Sequence, residues 1–485
     1  MVEWLAGNRV AYADRESTTR IEADWSSGRI AMTGTSYGGT MCYEVATTGV
    51  EGLETIIPYC GIASWYDYTN SQGVAKHYDV NYADALAADN GGALLLSGND
   101  MVTNERYGSW LYTVAREQEA SNGKYTDIWA SLDYSDDYEN IRCPALIVQG
   151  LNDLNVSTRQ ADLMAQAFDK AGQKFSLVLH QDGHRDLYGC MVNDWVWDEV
   201  VNMWLCHYLC DVDNGIEQQL PQVLAQSNVD GSWTSCDTWR DFTYEEVPVY
   251  GTGAESTVSS QGFLDFLVDF SNTYEGDGAM DVFYVSIPEE NAAIYSVEVP
   301  DGVTIYGVPK ISFTATTEKT GFEGLMISAV LVDTIDGQTA FPAFMPLASL
   351  ENLLPSTSVG SIDFGGGYGW SDVRSFLQCD TCVKIITFGW TDLACPGGGE
   401  DSAGYTRATE LLAGQPYEYN FYMMPTVYTV QSGHTLQLVI YTWDPYTNAI
   451  LDESSGSLER EVQEYYNYAF TIDNATLRAQ LPVQK

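Results

Sequence analysis

Near residue 212 the sequence changes its hydrophobic period, and that change points to two architectures in series. Before it, short apolar runs of strand length alternate with longer amphipathic runs of helix length. Such alternation is the pattern of a parallel sheet joined by crossover helices. After it, strand-like runs at 263–270, 282–287, 324–332 and 436–443 are separated by Gly, Asp, Ser and Thr turns. That pattern predicts an all-β domain. The expected division is 1–212 and 213–485, with a linker over 211–228. A chain of 485 residues has room for both units.

Three runs in the first part read as buried parallel strands: 29–33, 145–149 and 175–180. Helices are expected at 37–48, closed by Gly49, and at about 192–209. A third begins at Ser157, with Gln160 placed to complete a capping box, and stops before Gly172. Ala161, Met164 and Phe168 line one face of it. The stretch 67–140, rich in Tyr, Asp and Asn, reads as a helical insertion over the sheet, with a helix at 109–120.

Gly34-Thr35-Ser36-Tyr37-Gly38 follows the first strand directly and precedes a helix. A serine nucleophile needs this setting: a sharp turn that exposes its oxygen, with small neighbours that let the backbone pass close by. The Tyr37 N–H then lies where an oxyanion would form, at a helix N-terminus that favours negative charge. Serine alone is a weak nucleophile and needs a base oriented by a third group. Asp153 follows the second strand and His184 the third, in the order Ser, Asp, His. The spacings are 117 and 31 residues; the first leaves room for the insertion and the second fits one α/β unit. The expected roles are Ser36 as nucleophile, His184 as base, and Asp153 as the group that orients the imidazole.

His180 is the rival base, ending the strand before the loop. His207 reads as structural, His77 as a surface residue of the insertion, and Asp162 as a solvated helix residue. Asp182 shapes the loop. Cys379 and Cys382 with Cys395, and Cys206 and Cys210 around His207, give no complete zinc ligand set, so no metal and no organic cofactor is expected. Glycine runs at 365–367 and 397–399 lack the Lys-Ser/Thr of a phosphate loop.

The chain has 67 acidic and 22 basic side chains, a net charge of −45. Nucleic acid and anionic membrane surfaces would repel such a protein. No run of 18 apolar residues occurs. Ten cysteines are too sparse for a disulfide scaffold, which makes a reducing cytoplasm the default.

Several stretches resemble the X-prolyl dipeptidyl aminopeptidases of peptidase family S15. They are residues 28–41 around Ser36, 46–54, the Gly61-Ile-Ala-Ser-Trp-Tyr-Asp-Tyr68 segment, 149–156 around Asp153, and 179–184 ending in His184. Residues 433–441 resemble that family's C-terminal β domain. The resemblance implies an α/β-hydrolase domain with a helical insertion, followed by a jelly-roll-like, galactose-binding-like sandwich. It implies the same triad, and release of Xaa-Pro dipeptides from peptide N-termini. Trp65, Tyr66 and Tyr68 would help form the pocket for the penultimate proline, since a proline ring packs well on aromatic faces. A carboxylate must also bind the substrate's free ammonium, and Asp79 and Asp84 are the residues considered for it. Family members carry early strands and a second oxyanion donor, a tyrosine, before the nucleophile strand. Only 35 residues precede Ser36, so the hydrolase domain is expected to be N-terminally incomplete, part of a longer protein. A homodimer is a further expectation. Two other readings stay open: a related esterase or amidase, and a non-catalytic carbohydrate-binding or interaction protein using Trp239 or Trp370.

Overall fold

The computed structural model describes residues 1–14, 16–75, 101–153, 155–236, 238–262, 289–321, 324–334, 383–442 and 467–484. The strand runs expected at 263–270 and 282–287 lie outside them, as do His77, Asp79, Asp84, Trp370, Cys379 and Cys382.

The first sheet is built from β1 (Ile30–Thr35), β2 (Leu53–Tyr59), β3 (Ala145–Gly150), β4 (Phe175–His180), β5 (Val223–Gln226) and β6 (Trp233–Cys236). They lie side by side in chain order. The first five are parallel, and β6 closes the sheet antiparallel to β5. The sheet therefore continues beyond the boundary expected at 212: Val223–Gln226, placed in the linker from sequence, pairs with Phe175–His180.

Period-two alternation feeds two cores. Ile56, Ala145, Ile147, Leu177 and Leu179 face one core, with Cys42 and Tyr43 of α1 (Tyr37–Thr47) and Met164 and Phe168 of α4 (Thr158–Lys170). Ile57, Leu146, Val148 and Val178 face the other, with Trp197, Val200 and Trp204 of α5 (Trp197–Cys210). Covering both faces of a parallel sheet makes its strands read as unbroken apolar runs. Each fully buried large side chain contributes roughly 1.5–3 kcal/mol. The last helix starts five residues later than expected, because Met191–Val192 and Trp195–Val196 form a two-stranded ladder first. Between β2 and β3 lie α2 (Trp65–Thr69) and α3 (Met101–Ser121). Among the described residues, no helix is long and apolar enough to cross a membrane.

The regular structure described in the second part, from residue 243 on, is β-strand apart from short 3-10 turns. A seven-stranded sheet is built around the long strand Ala469–Val483, which pairs with Thr243–Val247, Glu255–Ser259, Thr304–Gly307 and Lys310–Thr317. Five more form a second antiparallel sheet ordered Val249–Tyr250, Ala292–Val297, Thr435–Tyr441, Met326–Thr334, Val383–Asp392. A large shared core that includes Phe313, Phe421, Val330 and Leu438 unites the two sheets.

The two parts interlock through buried polar contacts. The Ser71-Gln72 turn reaches into the β part: Ser71 Oγ and Gln72 Nε2 both donate to the Trp390 carbonyl, at 3.1 and 3.0 Å. Tyr422 N donates to Gln72 Oε1 at 3.1 Å. Lys124 is buried against Asp392. Asp162 is not solvated, as expected from sequence, but fully buried. It accepts from Trp239 Nε1 at 2.8 Å and from Arg159 at 3.0 Å, and pairs with Arg240. Two arginines and an indole N–H compensate the burial of its charge, which holds the carboxyl below its ordinary range despite desolvation.

Candidate active site

Ser36 sits between β1 and α1 with φ 59° and ψ −123°. A non-glycine residue at positive φ is costly and persists where its surroundings over-determine it. Here they do. Ser36 N donates to the Tyr59 carbonyl at 2.9 Å, and Thr40 N donates to the Ser36 carbonyl at 3.0 Å. Gly34 and Gly39 are required by space, whereas a Cβ on Gly38 would meet nothing within 4 Å. A Cβ on Gly34 would stand 2.7 Å from the Gly38 carbonyl carbon, and one on Gly39 would stand 2.6 Å from the Tyr59 oxygen. Tyr37 opens α1, so its backbone amide lies in the first helical turn, where the N–H groups lack partners within the helix.

Asp153 and His184 meet at the ends of neighbouring parallel strands. His184 Nδ1 lies 2.7 Å from Asp153 Oδ2, and both side chains are buried. Asp153 is fixed from its own loop: Val156 N donates to Oδ1 at 2.8 Å, and Gln149 Nε2 donates to Oδ2 at 3.3 Å. The His184 loop is shaped by Asp182, which accepts from Gly183 N at 3.0 Å and from Arg185 at 3.0 Å. His180, the rival base, is buried at the end of β4, and its Nδ1 accepts from Asp182 N at 3.3 Å. Burial and the neighbouring Arg185 hold it neutral, its pKa lowered to about 3.

Cys60 follows β2 and was not singled out from sequence. It has φ 46°, is fully buried, and places a thiol beside the pair. Ligand atoms of Cys60, Asp153 and His184 all lie within 4.8 Å of one another, the one such metal-capable group among the described residues. Burial, with Asp153 adjacent, pushes the thiol far above its ordinary pKa. Cys60 N donates to the Val148 carbonyl at 2.9 Å, and Ser36 N to the preceding residue, Tyr59. Cys60 Sγ also donates to the Arg185 carbonyl at 3.4 Å, so the Ser36 turn and the loop that carries His184 both bond to the C-terminal end of β2. Gln149 was also passed over, although a lone amide inside an apolar strand run is a readable signal of a buried polar duty.

The aromatic segment divides. Trp65 is nearly buried; its ring lies 6.2 Å from that of half-exposed Tyr37 and 5.7 Å from that of Tyr68, and its Nε1 donates to Tyr134 Oη at 3.2 Å. Tyr68 Oη donates to Asn155 Oδ1 at 2.7 Å, two residues beyond Asp153. Tyr66 is wholly buried between Tyr125 and Trp129, donating to the Gly123 carbonyl at 2.8 Å. Gln160 does not complete the expected capping box. Its Oε1 instead accepts from Ala63 N at 2.8 Å and Ser64 N at 2.9 Å, two buried amides that lead into the aromatic helix. Trp239 is buried, which removes it as a sugar-stacking surface.

Residues 1–186 match the family described as X-Pro dipeptidyl-peptidase (S15 family), and residues 214–459 match the X-Pro dipeptidyl-peptidase C-terminal non-catalytic domain. The Xaa-Pro dipeptidyl-peptidase of Pediococcus pentosaceus is 29% identical over 470 residues, covering 92% of this chain and 55% of that protein. That of Ligilactobacillus salivarius is 27% identical over 504 residues, covering 100% of this chain and 58% of that protein. The chain therefore spans little more than half the length of these relatives. Solved structures share the fold. An aminopeptidase from a marine sediment Thaumarchaeota archaeon has a TM-score of 0.62 at 15% identity, covering 100% of this chain and 79% of that one. A CocE/NonD family hydrolase from Staphylococcus aureus has a TM-score of 0.63 at 12% identity, covering 100% and 74%. Both halves of the chain and its full-length relatives converge on one assignment: the chain belongs to the X-Pro dipeptidyl-peptidase family, S15.

Proposed function

We propose that the chain is the catalytic part of a serine peptidase that releases Xaa-Pro dipeptides from peptide N-termini. The observation that carries this reading is the buried Asp153–His184 hydrogen bond at the ends of adjacent strands, with the His184 loop bonded to the same strand end as the strained Ser36 turn. With Nδ1 engaged by the carboxylate, Nε2 is the nitrogen that exchanges a proton with the nucleophile. Ser36 Oγ attacks the proline carbonyl carbon and passes its proton to His184. The tetrahedral oxyanion draws on the Tyr37 amide. Collapse breaks the C–N bond, and His184 returns the proton to the departing amine. Water, deprotonated by His184, then frees the dipeptide from Ser36. Trp65, with Tyr37 and Tyr68 around it, supplies the aromatic surface for the proline ring. The test is hydrolysis of Gly-Pro-p-nitroanilide by the 485-residue chain beside its Ser36→Ala variant. N-acetylated Gly-Pro-p-nitroanilide and p-nitrophenyl butyrate serve as comparators. The reading expects Ser36-dependent release from the free-amine anilide and little from the acetylated one. Preference for the uncharged ester would replace the peptidase with an acyl esterase.

A further inference from the structure

The second half of the chain matches a domain described as non-catalytic. One of its side chains nevertheless reaches the loop that carries Asp153. Lys384 lies on the strand Val383–Asp392, directly across the ladder from Asp333. Cross-strand partners project to the same side of a sheet, and both residues are buried. Asp333 also accepts from Tyr428 Oη at 2.7 Å and lies 3.0 Å from His434 Nδ1. Burial holds its carboxyl above the ordinary value, against the pull of Tyr428, His434 and Lys384.

Lys384 Nζ donates to Asn152 Oδ1 at 2.7 Å and to the Ile385 carbonyl. Asn152 precedes Asp153 and spends its remaining polar groups on the His184 loop. Its Nδ2 donates to the Gln181 carbonyl at 2.7 Å, and its backbone N to the Asp182 carbonyl at 3.2 Å. Asn152 is therefore a three-way joint between the acid loop, the base loop and the β domain. A buried ammonium on a flexible stem is a costly way to fill space. Its retention at this joint asks for a return that an apolar residue would not give.

We propose that Lys384 is a positioning residue of the active site: through Asn152 it fixes the separation of the loops bearing Asp153 and His184. It touches no reacting atom. The β domain thus contributes to turnover by holding the Asp–His pair in register. A misplacement of about 1 Å costs on the order of 10²-fold in rate.

This inference rests on the triad reading given above, and its test separates the two. The complete chain and its Lys384→Met, Asn152→Ala and double variants are titrated with a fluorophosphonate, which counts functional Ser36. kcat and KM for Gly-Pro-p-nitroanilide are then measured per titrated site. The expected result is a fall in kcat of about 10–100-fold in each single variant at unchanged KM, with the double variant no slower than the worse single. Full kcat in Lys384→Met, a loss confined to KM, or effects that multiply in the double variant would overturn the proposal. So would a deficit that vanishes once rates are divided by titrated Ser36, because Lys384 would then serve folding alone. If the unmutated chain is phosphonylated but leaves the anilide intact, the substrate reading fails. The phosphonylation rate constant then carries the same comparison. If the unmutated chain is not phosphonylated at Ser36, the triad reading falls, and the proposal with it.

Discussion

Replacing Gly150 with alanine isolates how closely the acid and base loops must approach. Gly150 ends β3, and its φ is not positive, so the backbone itself accepts an alanine. The space does not. A Cβ there would lie 2.2 Å from the Gly183 oxygen and 2.5 Å from the Asp182 oxygen, both backbone atoms of the His184 loop. Cβ atoms essentially never come within 3.0 Å of such neighbours, so the loops must part by roughly 1 Å. Three bonds resist: Leu151 N to the His180 carbonyl at 2.7 Å, Asn152 N to the Asp182 carbonyl at 3.2 Å, and Asp153 to His184 at 2.7 Å. A 1 Å opening carries the last of these beyond the roughly 3.2 Å limit of a sound hydrogen bond. The expected cost is about 10²-fold in kcat and roughly 1–3 kcal/mol of stability from overpacking. The assay is kcat on Gly-Pro-p-nitroanilide per titrated Ser36, beside a thermal melt followed by circular dichroism. Gly108→Ala is the control, since Gly108 lies in α3 and a Cβ there meets nothing within 4 Å. A Gly150→Ala variant with kcat within about twofold of the unmutated chain would refute the idea that loop apposition sets the triad.

Two further outcomes concern the buried charges. Asp133 is buried near Asp67, and burial with that neighbour raises its pKa to about 6. The folded chain binds this proton more tightly than the unfolded one, so the group's stabilising contribution is full below about 3.8 and lost as pH rises through about 6. Asp133→Asn should therefore gain stability relative to the unmutated chain above pH 6, by roughly 2–3 kcal/mol, with the gain fading towards pH 4. Paired denaturant melts across that range check the sign, and an unchanged difference between the two proteins would contradict it. Lys124→Met leaves the Asp392 carboxylate buried without its cation, which should cost about 3–5 kcal/mol and lower the midpoint of urea unfolding. An unmoved midpoint would mean that Asp392 is protonated in the fold.

The runs at β3 and β4 were legible because both faces of these strands are buried, which leaves them mostly apolar; β1, only partly buried, was legible from its short apolar run and the Ser36 motif that follows it. The Ser36 turn was legible because close backbone approach leaves no room for a side chain at Gly34, the first glycine of its motif. Asp153 and His184 followed from their places after strands. The strands Leu53–Tyr59 and Val223–Gln226 were missed. The first holds Glu54 and Pro58 within its span, and the second is only four residues long and follows a proline. Neither resembles a long apolar run, and tertiary pairing decides both. Asp162 was misjudged because helix periodicity cannot show that Arg159, Trp239 and Arg240 converge on one carboxylate. Gln160 went to a neighbouring segment rather than to its own helix for the same reason: long-range partners outbid local ones. Lys384 and Asn152 lie 232 residues apart, and no local pattern announces a contact of that separation.

The Ser71-Gln72 turn has a consequence for how the protein is made. Synthesis delivers the hydrolase half first. Until the strand containing Trp390 and the strand ending at Tyr422 emerge, the Gln72 amide, the Lys124 ammonium and the Asn152 carbonyl oxygen lack the partners they have in the finished molecule. A nascent first half can thus build its own sheet and cores, but these polar groups keep water as their partner until the second half closes over them.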